Sequence, residues 1–290
     1  MRDVSELLRF AVRRFRAHPL PGKAYDEPNF GHVEHEIEWR PEQTAVLTID
    51  VWNMLWLPEP LDPELERYAE YNFMGVGESL MSVMHAIESE CIVPALAAAR
   101  EAGLTVIHSN MYEIARKHPE SAFFAEPPED GESAADPSWA PAEVSEEWIA
   151  EYYRHTWGED CMPGLLRIRE LADFPPPLMP EPGDIVVCRQ YALDSLLAER
   201  GICNLICTGF MLNMCLMQSV GGVMRMVAPH RNPGYRGIVL RDCTCATETA
   251  DTIGDLAVTN TWLYQMETTG IPMAESSDFI AACRAISPSG

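Results

Sequence analysis

Short apolar runs separated by helix-length segments constrain this chain more than any other feature. They fall at 44–50, 104–108, 185–189, 203–208 and 237–241. Each is rich in Val, Ile and Leu and too short for a self-standing helix, the pattern of a strand covered on both faces. Between the first two, Leu80, Val83, Met84, Ile87, Cys91, Val93, Leu96 and Ala99 recur at three- and four-residue steps. That is a helical period over 78–102, which Pro94 breaks into two pieces and Gly103 stops. A helix at 193–199 ends at Gly201, and further helices are expected from Cys215 to about Val227 and over 251–268. Strand, helix, strand repeated in this way predicts an α/β fold: three layers, α/β/α, around a mostly parallel Rossmann-like sheet with right-handed crossovers.

Two segments fall outside the pattern. Residues 1–40 read as an N-terminal arm, with Arg9, Arg13, Arg14 and Arg16 set among Leu7, Leu8, Phe10, Val12 and Phe15. Such an amphipathic arm packs on the body or on a second subunit. It lacks the compact apolar stretch and small-residue cleavage site of a secretory signal. Residues at about 113–181 are rich in Glu, Asp, Pro, Trp and Tyr and read as an insertion in the domain 41–290, with short helices at 144–155 and 163–171.

The net charge of −23 over 290 residues, with Lys23 and Lys117 the only lysines, repels nucleic acid and anionic membranes. No apolar run approaches the 18 or so residues that span a bilayer. The nine cysteines are odd in number and lack zinc-site spacing, which fits reduced thiols in a cytoplasmic protein. Neither a metal nor an organic cofactor is expected. His118 by itself is a weak ligand, and the expected partner is a small molecule.

In parallel sheets the ligand site lies at the carboxyl ends of the strands, near the switch in strand order. Asp50, Arg189 and Cys215 all fall at or just beyond predicted strand ends. In the stretch from Ile202 to Cys215 an apolar run stops at Gly209 and a helix-competent run starts at Asn213. Cys215 therefore falls in a first helical turn, where free N–H groups and the helix dipole lower a thiol's pKa. It is either a nucleophile or a buried structural thiol. Asp50 is either a general base or a turn-capping carboxylate, and Arg189 either a site cation or a solvent-facing residue. Asp242 reads as structural.

The ordered set of Val46-Leu47-Thr48-Ile49-Asp50, Pro182-Gly183-Asp184-Ile185-Val186-Val187, Gly209-Phe210-Met211-Leu212-Asn213-Met214-Cys215 and Gly237-Ile238-Val239-Leu240-Arg241-Asp242 resembles the isochorismatase-like cysteine hydrolases. That family includes nicotinamidases, N-carbamoylsarcosine amidohydrolases and ureide hydrolases. The resemblance covers roughly 44–111 and 182–265. It implies the isochorismatase-like hydrolase fold, a homo-oligomer, and hydrolysis of a C–N bond in a small amide, ureide or carbamate through a cysteine thioester. It places Cys215 and Asp50 in an Asp–Lys–Cys triad whose lysine place falls on Arg189. It also implies a cis peptide at Phe210–Met211 and an oxyanion hole from the backbone N–H groups of Met211 and Cys215. Trp52, Asn53, Trp56, Asn110, Tyr112 and Phe210 are the residues expected to line the substrate site. Arg189 and the short Gln190-Tyr191-Ala192-Leu193 connection depart from the family pattern. They keep open a catalytically degenerate protein that binds a small molecule or a partner. An ether hydrolase of the isochorismatase type is the other alternative, and Cys215 argues against it.

Overall fold

The computed structural model describes residues 7–53, 77–118, 146–158, 170–227 and 234–286. Its strands are β1 (Leu8–Arg16), β2 (Gly31–Trp39), β3 (Thr44–Ile49), β4 (Thr105–Ser109), β5 (Ile185–Val187), β6 (Asn204–Gly209), β7 (Arg236–Leu240) and β8 (Met273–Ala274). They form one sheet in the order β2-β1-β8-β7-β6-β3-β4-β5. From β8 to β5 every pairing is parallel, and β1 joins antiparallel to both β8 and β2. The chain runs outward from β3 through β4 to β5, then returns to the other side of β3 with β6. The switch in strand order is therefore the β3–β6 pair.

The helices are α1 (Glu78–Ile87), α2 (Val93–Glu101), α3 (Tyr112–Ala115), α4 (Glu146–Trp157), α5 (Gln190–Glu199), α6 (Cys215–Gln218), α7 (Val223–Met226), α8 (Ala257–Thr268) and α9 (Ser276–Ile286). Side chains alternate across each strand, so successive residues of β3 serve different layers. Val46 joins Leu96 of α2 and Phe279 of α9 on one face. Ala45, Leu47 and Ile49 join Leu193 of α5, Leu216 of α6 and Leu263 of α8 on the other. This is the expected three-layer arrangement.

The break near Pro94 takes the form of a π-helical turn at Glu88–Ile92 joining α1 to α2, because proline has no N–H to return to the preceding turn. By length and composition the resulting 24-residue stretch Glu78–Glu101 could cross a bilayer, which no single apolar run had suggested. Here Leu80, Ile92, Ala95, Leu96 and Ala99 are buried in the core beside the sheet.

Within the segment expected to be an arm, residues 8–16 and 31–39 are strands of the sheet. The alternation of Leu8, Phe10 and Val12 with Arg9, Ala11 and Arg13 is a strand period, and the first three are at most 4% exposed. Phe10 meets Phe279 edge-on at 5.8 Å. Arg13 and His32 both pair with the buried Glu267 of α8, at 2.8 and 2.9 Å. In the insertion, α4 matches the helix expected at 144–155, shifted by two residues. Of the helix expected at 163–171 only 170–171 lie within the described residues, and they are helical. The single helix expected from Cys215 to Val227 is instead the two short helices α6 and α7. The turn between them, with Gly221 at φ +77°, interrupts the helix.

Candidate active site

β3 ends at Ile49, and Asp50 turns into the left-handed region at φ +45°, which a short polar side chain tolerates better than a bulky one. Its N–H still donates to the Ser109 carbonyl at 2.9 Å, so the residue stays tied to β4 as it leaves its own strand. Next to it, β6 ends at Gly209, φ +118°, where a Cβ would stand 2.0 Å from the Ile49 carbonyl oxygen. Only glycine allows that approach, and it brings the Phe210 N–H to the same oxygen at 3.0 Å. The Phe210–Met211 peptide is cis. Beyond it, Leu212 N–H donates to the Cys245 carbonyl at 2.8 Å. The N–H groups of Met214 and Leu216 converge on the Met211 carbonyl at 2.9 and 3.1 Å. The tight turn so formed delivers Cys215 to the start of α6.

Two expected partners meet there. The Asp50 carboxylate lies beside the Cys215 thiol, close enough that the thiol lowers the carboxyl's pKa and the carboxylate raises the thiol's. Ser219, four residues after Cys215, donates its hydroxyl to Asp50 Oδ2 at 2.8 Å and lies near enough to the cysteine sulfur to lower the thiol's pKa. The Met211 N–H lies near enough to lower the thiol's pKa as well. Among the described residues no protein acceptor takes the Cys215 N–H. Of the two amides that the resemblance names as oxyanion donors, that of Cys215 is thus left without a protein partner among the described residues.

The low thiol pKa expected of a helix start does not arise. The helix is one four-residue turn. Burial, and then the charge of Asp50, push the Cys215 thiol up to about 12 against the donors Ser219 and Met211. Burial also holds the Asp50 carboxyl above its ordinary range, opposed by hydrogen bonds from Ser219, Cys215 and Trp52. At rest the sulfur keeps its proton, and the group able to take it lies alongside.

The remaining residues divide. The Trp52 indole N–H donates to Asn110 Oδ1 at 2.7 Å, and Asn110 Nδ2 donates to the Val51 carbonyl at 3.1 Å. The buried Asn110 thereby fixes the indole beside Asp50. Asn53 is engaged elsewhere: its side chain accepts from Asp173 N–H at 2.9 Å and donates to the Leu171 carbonyl at 3.3 Å, clamping the segment 171–173. Phe210 is 2% exposed and packs in the core beneath the turn, so it presents no surface to a substrate. Trp56 lies outside the described residues. Arg189 is exposed, its guanidinium 5.9 Å from the centre of the Tyr112 ring. Among the described residues it makes no hydrogen bond or ion pair with Asp50 or Cys215.

A second carboxylate nearby has a different character. Asp184, just before β5, takes two hydrogen bonds from Arg100, at 3.2 and 2.6 Å, one from the Glu181 N–H at 3.0 Å, and contacts the buried His108 at 3.1 Å. These partners hold its carboxyl far below the ordinary range despite its burial. Asp242 caps α9, accepting from the Ser276 N–H and hydroxyl at 2.9 and 2.5 Å, a structural task. Among the described residues no group of three His, Cys, Asp or Glu side chains could hold a metal ion.

Sequence reasoning passed over Ser219. The signal was its place four residues after Cys215, one helical turn on and on the same side.

No family model matches the chain, and no curated protein does. Solved structures do align with it. A cysteine hydrolase from Pseudomonas syringae pv. phaseolicola 1448A is 16% identical, with 85% of this chain and 95% of that one covered and a TM-score of 0.48. An isochorismatase family protein from Desulfovibrio vulgaris subsp. vulgaris str. Hildenborough is 20% identical, covering 81% and 95%, with a TM-score of 0.43. A nicotinamidase/pyrazinamidase from Bacillus subtilis is 15% identical, covering 80% and 100%, with a TM-score of 0.35. All three bear names from the family that the motifs at Asp50 and Cys215 resemble. A likeness at these identities does not reach to chemistry, which rests on the side chains around Cys215.

Proposed function

We propose that this protein is a hydrolase that opens a C–N bond of a small amide, ureide or carbamate through a thioester on Cys215. The observation that carries the reading is the Asp50 carboxylate set beside the Cys215 thiol and tied to Ser219 at 2.8 Å, with the Cys215 N–H left without a protein acceptor among the described residues. A thiol with a pKa of about 12 is a poor resting nucleophile, so attack is coupled to proton transfer. As the sulfur bonds to the carbonyl carbon, Asp50 takes the thiol proton. The carbonyl oxygen gains the electron pair and is held by the N–H groups of Met211 and Cys215, each such donor being worth about 3 kcal/mol in the transition state. Collapse breaks the C–N bond, and Asp50 passes the proton to the departing nitrogen. Water then attacks the thioester, giving its proton to Asp50. Release of the acid returns that proton to sulfur.

Trp52, fixed by Asn110, supplies a flat wall beside the reacting carbonyl. Arg189 acts as a fixed positive charge, not as a proton carrier, since a guanidinium keeps its proton at neutral pH. Its exposure and its place over Tyr112 favour a second reading, a small-molecule-binding protein without turnover.

Ammonia release from a panel of small amides, ureides and carbamates tests the proposal. Turnover by the natural protein that vanishes in Cys215→Ser and Asp50→Asn supports it. Turnover that survives Cys215→Ser contradicts the thioester, and binding without turnover across the panel favours the second reading.

A further inference from the structure

We infer that Ser219 is a positioning residue for proton transfer in this site, holding the Asp50 carboxylate so that its other oxygen receives the thiol proton. The inference rests on the proposed Asp50–Cys215 chemistry and adds to it a group that the resemblance did not supply.

The geometry begins with the broken helix. α6 stops at Gln218, and Ser219 N–H closes the turn on the Cys215 carbonyl at 2.9 Å. The chain then makes a turn that three other elements secure. Ser109, at the end of β4, donates its hydroxyl to the Val220 carbonyl at 2.6 Å. Gln190, at the start of α5, accepts the Gly221 N–H at 3.0 Å. Gly221 itself lies so close to β3 that a Cβ there would meet Leu47 Cδ2 at 2.6 Å. These ties fix the chain directly after Ser219. With them, its hydroxyl is held at 2.8 Å from Asp50 Oδ2.

The hydroxyl faces both members of the pair, which gives it two uses during one proton transfer. It donates to Asp50 while the carboxylate is charged. Once the proton has passed to Asp50, the same O–H can turn to the sulfur that has become negative. No ammonium or guanidinium is recorded in contact with Asp50 among the described residues, so neutral donors orient the base. Of these donors Ser219 opposes the effect of burial on Asp50 most strongly.

The test needs no substrate: the pH profile of Cys215 alkylation by iodoacetamide, read peptide by peptide on the full-length protein. Four forms are compared, the natural protein, Ser219→Ala, Ser219→Thr and Asp50→Asn, with thermal unfolding of each as a control. The expected result is a Ser219→Ala acid limb displaced to higher pH. That makes alkylation about tenfold slower on that limb, the usual worth of a hydrogen bond to a charged group. Ser219→Thr, which keeps the hydroxyl, restores the natural limb. The inference is overturned if Ser219→Ala keeps the natural profile, or if Ser219→Thr shifts as far as Ser219→Ala. In either case an Asp50→Asn profile that still loses the acid limb leaves the proposed chemistry standing. An Asp50→Asn profile identical to the natural one removes both.

Discussion

Asp50 follows the carboxyl end of β3 and Asp184 precedes the amino end of β5 in one parallel sheet, and their surroundings give the two carboxylates opposite characters. Asp184 is met by a guanidinium, an imidazole and a backbone N–H, which overcompensate its burial and keep it charged. Asp50 is met by a hydroxyl, an indole and a thiol, neutral donors that do not offset its burial, and its carboxyl stays above the ordinary range. A carboxylate held by a guanidinium is a structural tie. One held by neutral donors, with an acid proton beside it, is able to exchange that proton. The comparison teaches that the partners of a carboxylate, together with its place at the carboxyl or amino end of a strand, separate a catalytic group from a structural one.

The two can be pulled apart by substitution. Asp50→Asn keeps an acceptor for Ser219 but removes the base, so acylation of Cys215 should fall about a thousandfold, the middle of the usual range for a general base. Its unfolding midpoint in urea near neutral pH should rise slightly, since the neutral amide removes the cost of a charged Asp50. Asp184→Ala should do the reverse. It strands Arg100 and the buried His108, and the loss of stability should be about 3 kcal/mol in a urea titration, as for other broken buried pairs. The acylation rate of the molecules that remain folded should hold. Equal loss of rate in the two variants would erase the distinction. A smaller change sharpens it: Trp52→Phe keeps the aromatic wall but takes the N–H from Asn110 and Asp50. It should cost about 1 kcal/mol in acylation, the ordinary net worth of one hydrogen bond.

The smallest effect is in the pH dependence of stability, where the two carboxylates have opposite signs. Asp184 is depressed in the folded state. Its contribution is complete above the ordinary aspartate pKa of about 3.9 and is lost as pH falls through the folded value. Asp50 is raised, so the folded state binds the extra proton. Stability then declines as pH rises from that same ordinary value through the folded one. Urea midpoints across the mildly acidic range should therefore show a falling component with rising pH that Asp50→Asn abolishes and Asp184→Ala leaves in place.

How much of this was legible in the chain follows from which contacts are local. The runs from β3 to β7, Asp50 at a strand end and Cys215 beyond Gly209 could be read because each is set by a few neighbouring residues. The hairpin β1–β2 was legible as well in the alternation of Leu8, Phe10 and Val12, yet the arginines between them gave it the look of an arm. Other features depend on distant partners. Asn53 could be read as a pocket residue until Asp173 and Leu171 came against it. Phe210 faces the core because the turn after Gly209 sends it there. The thiol's raised pKa is set by burial and by Asp50, 165 positions before it in the sequence, and a helix-start argument contains neither. The spacing of Ser219 from Cys215 was legible, but its bond to Asp50 was not, because that partner comes from the end of a distant strand.

The most direct measurement of the central claim, that Asp50 draws the proton from Cys215 as the sulfur attacks a carbonyl, is single-turnover acylation by p-nitrophenyl acetate near neutral pH. The release of p-nitrophenol is followed, and the acetylated residue is located by peptide mass spectrometry. The account predicts the acetyl group on Cys215, at a rate that drops about a thousandfold in Asp50→Asn. An acetyl group on any other residue, or an Asp50→Asn rate equal to that of the natural protein, would contradict it.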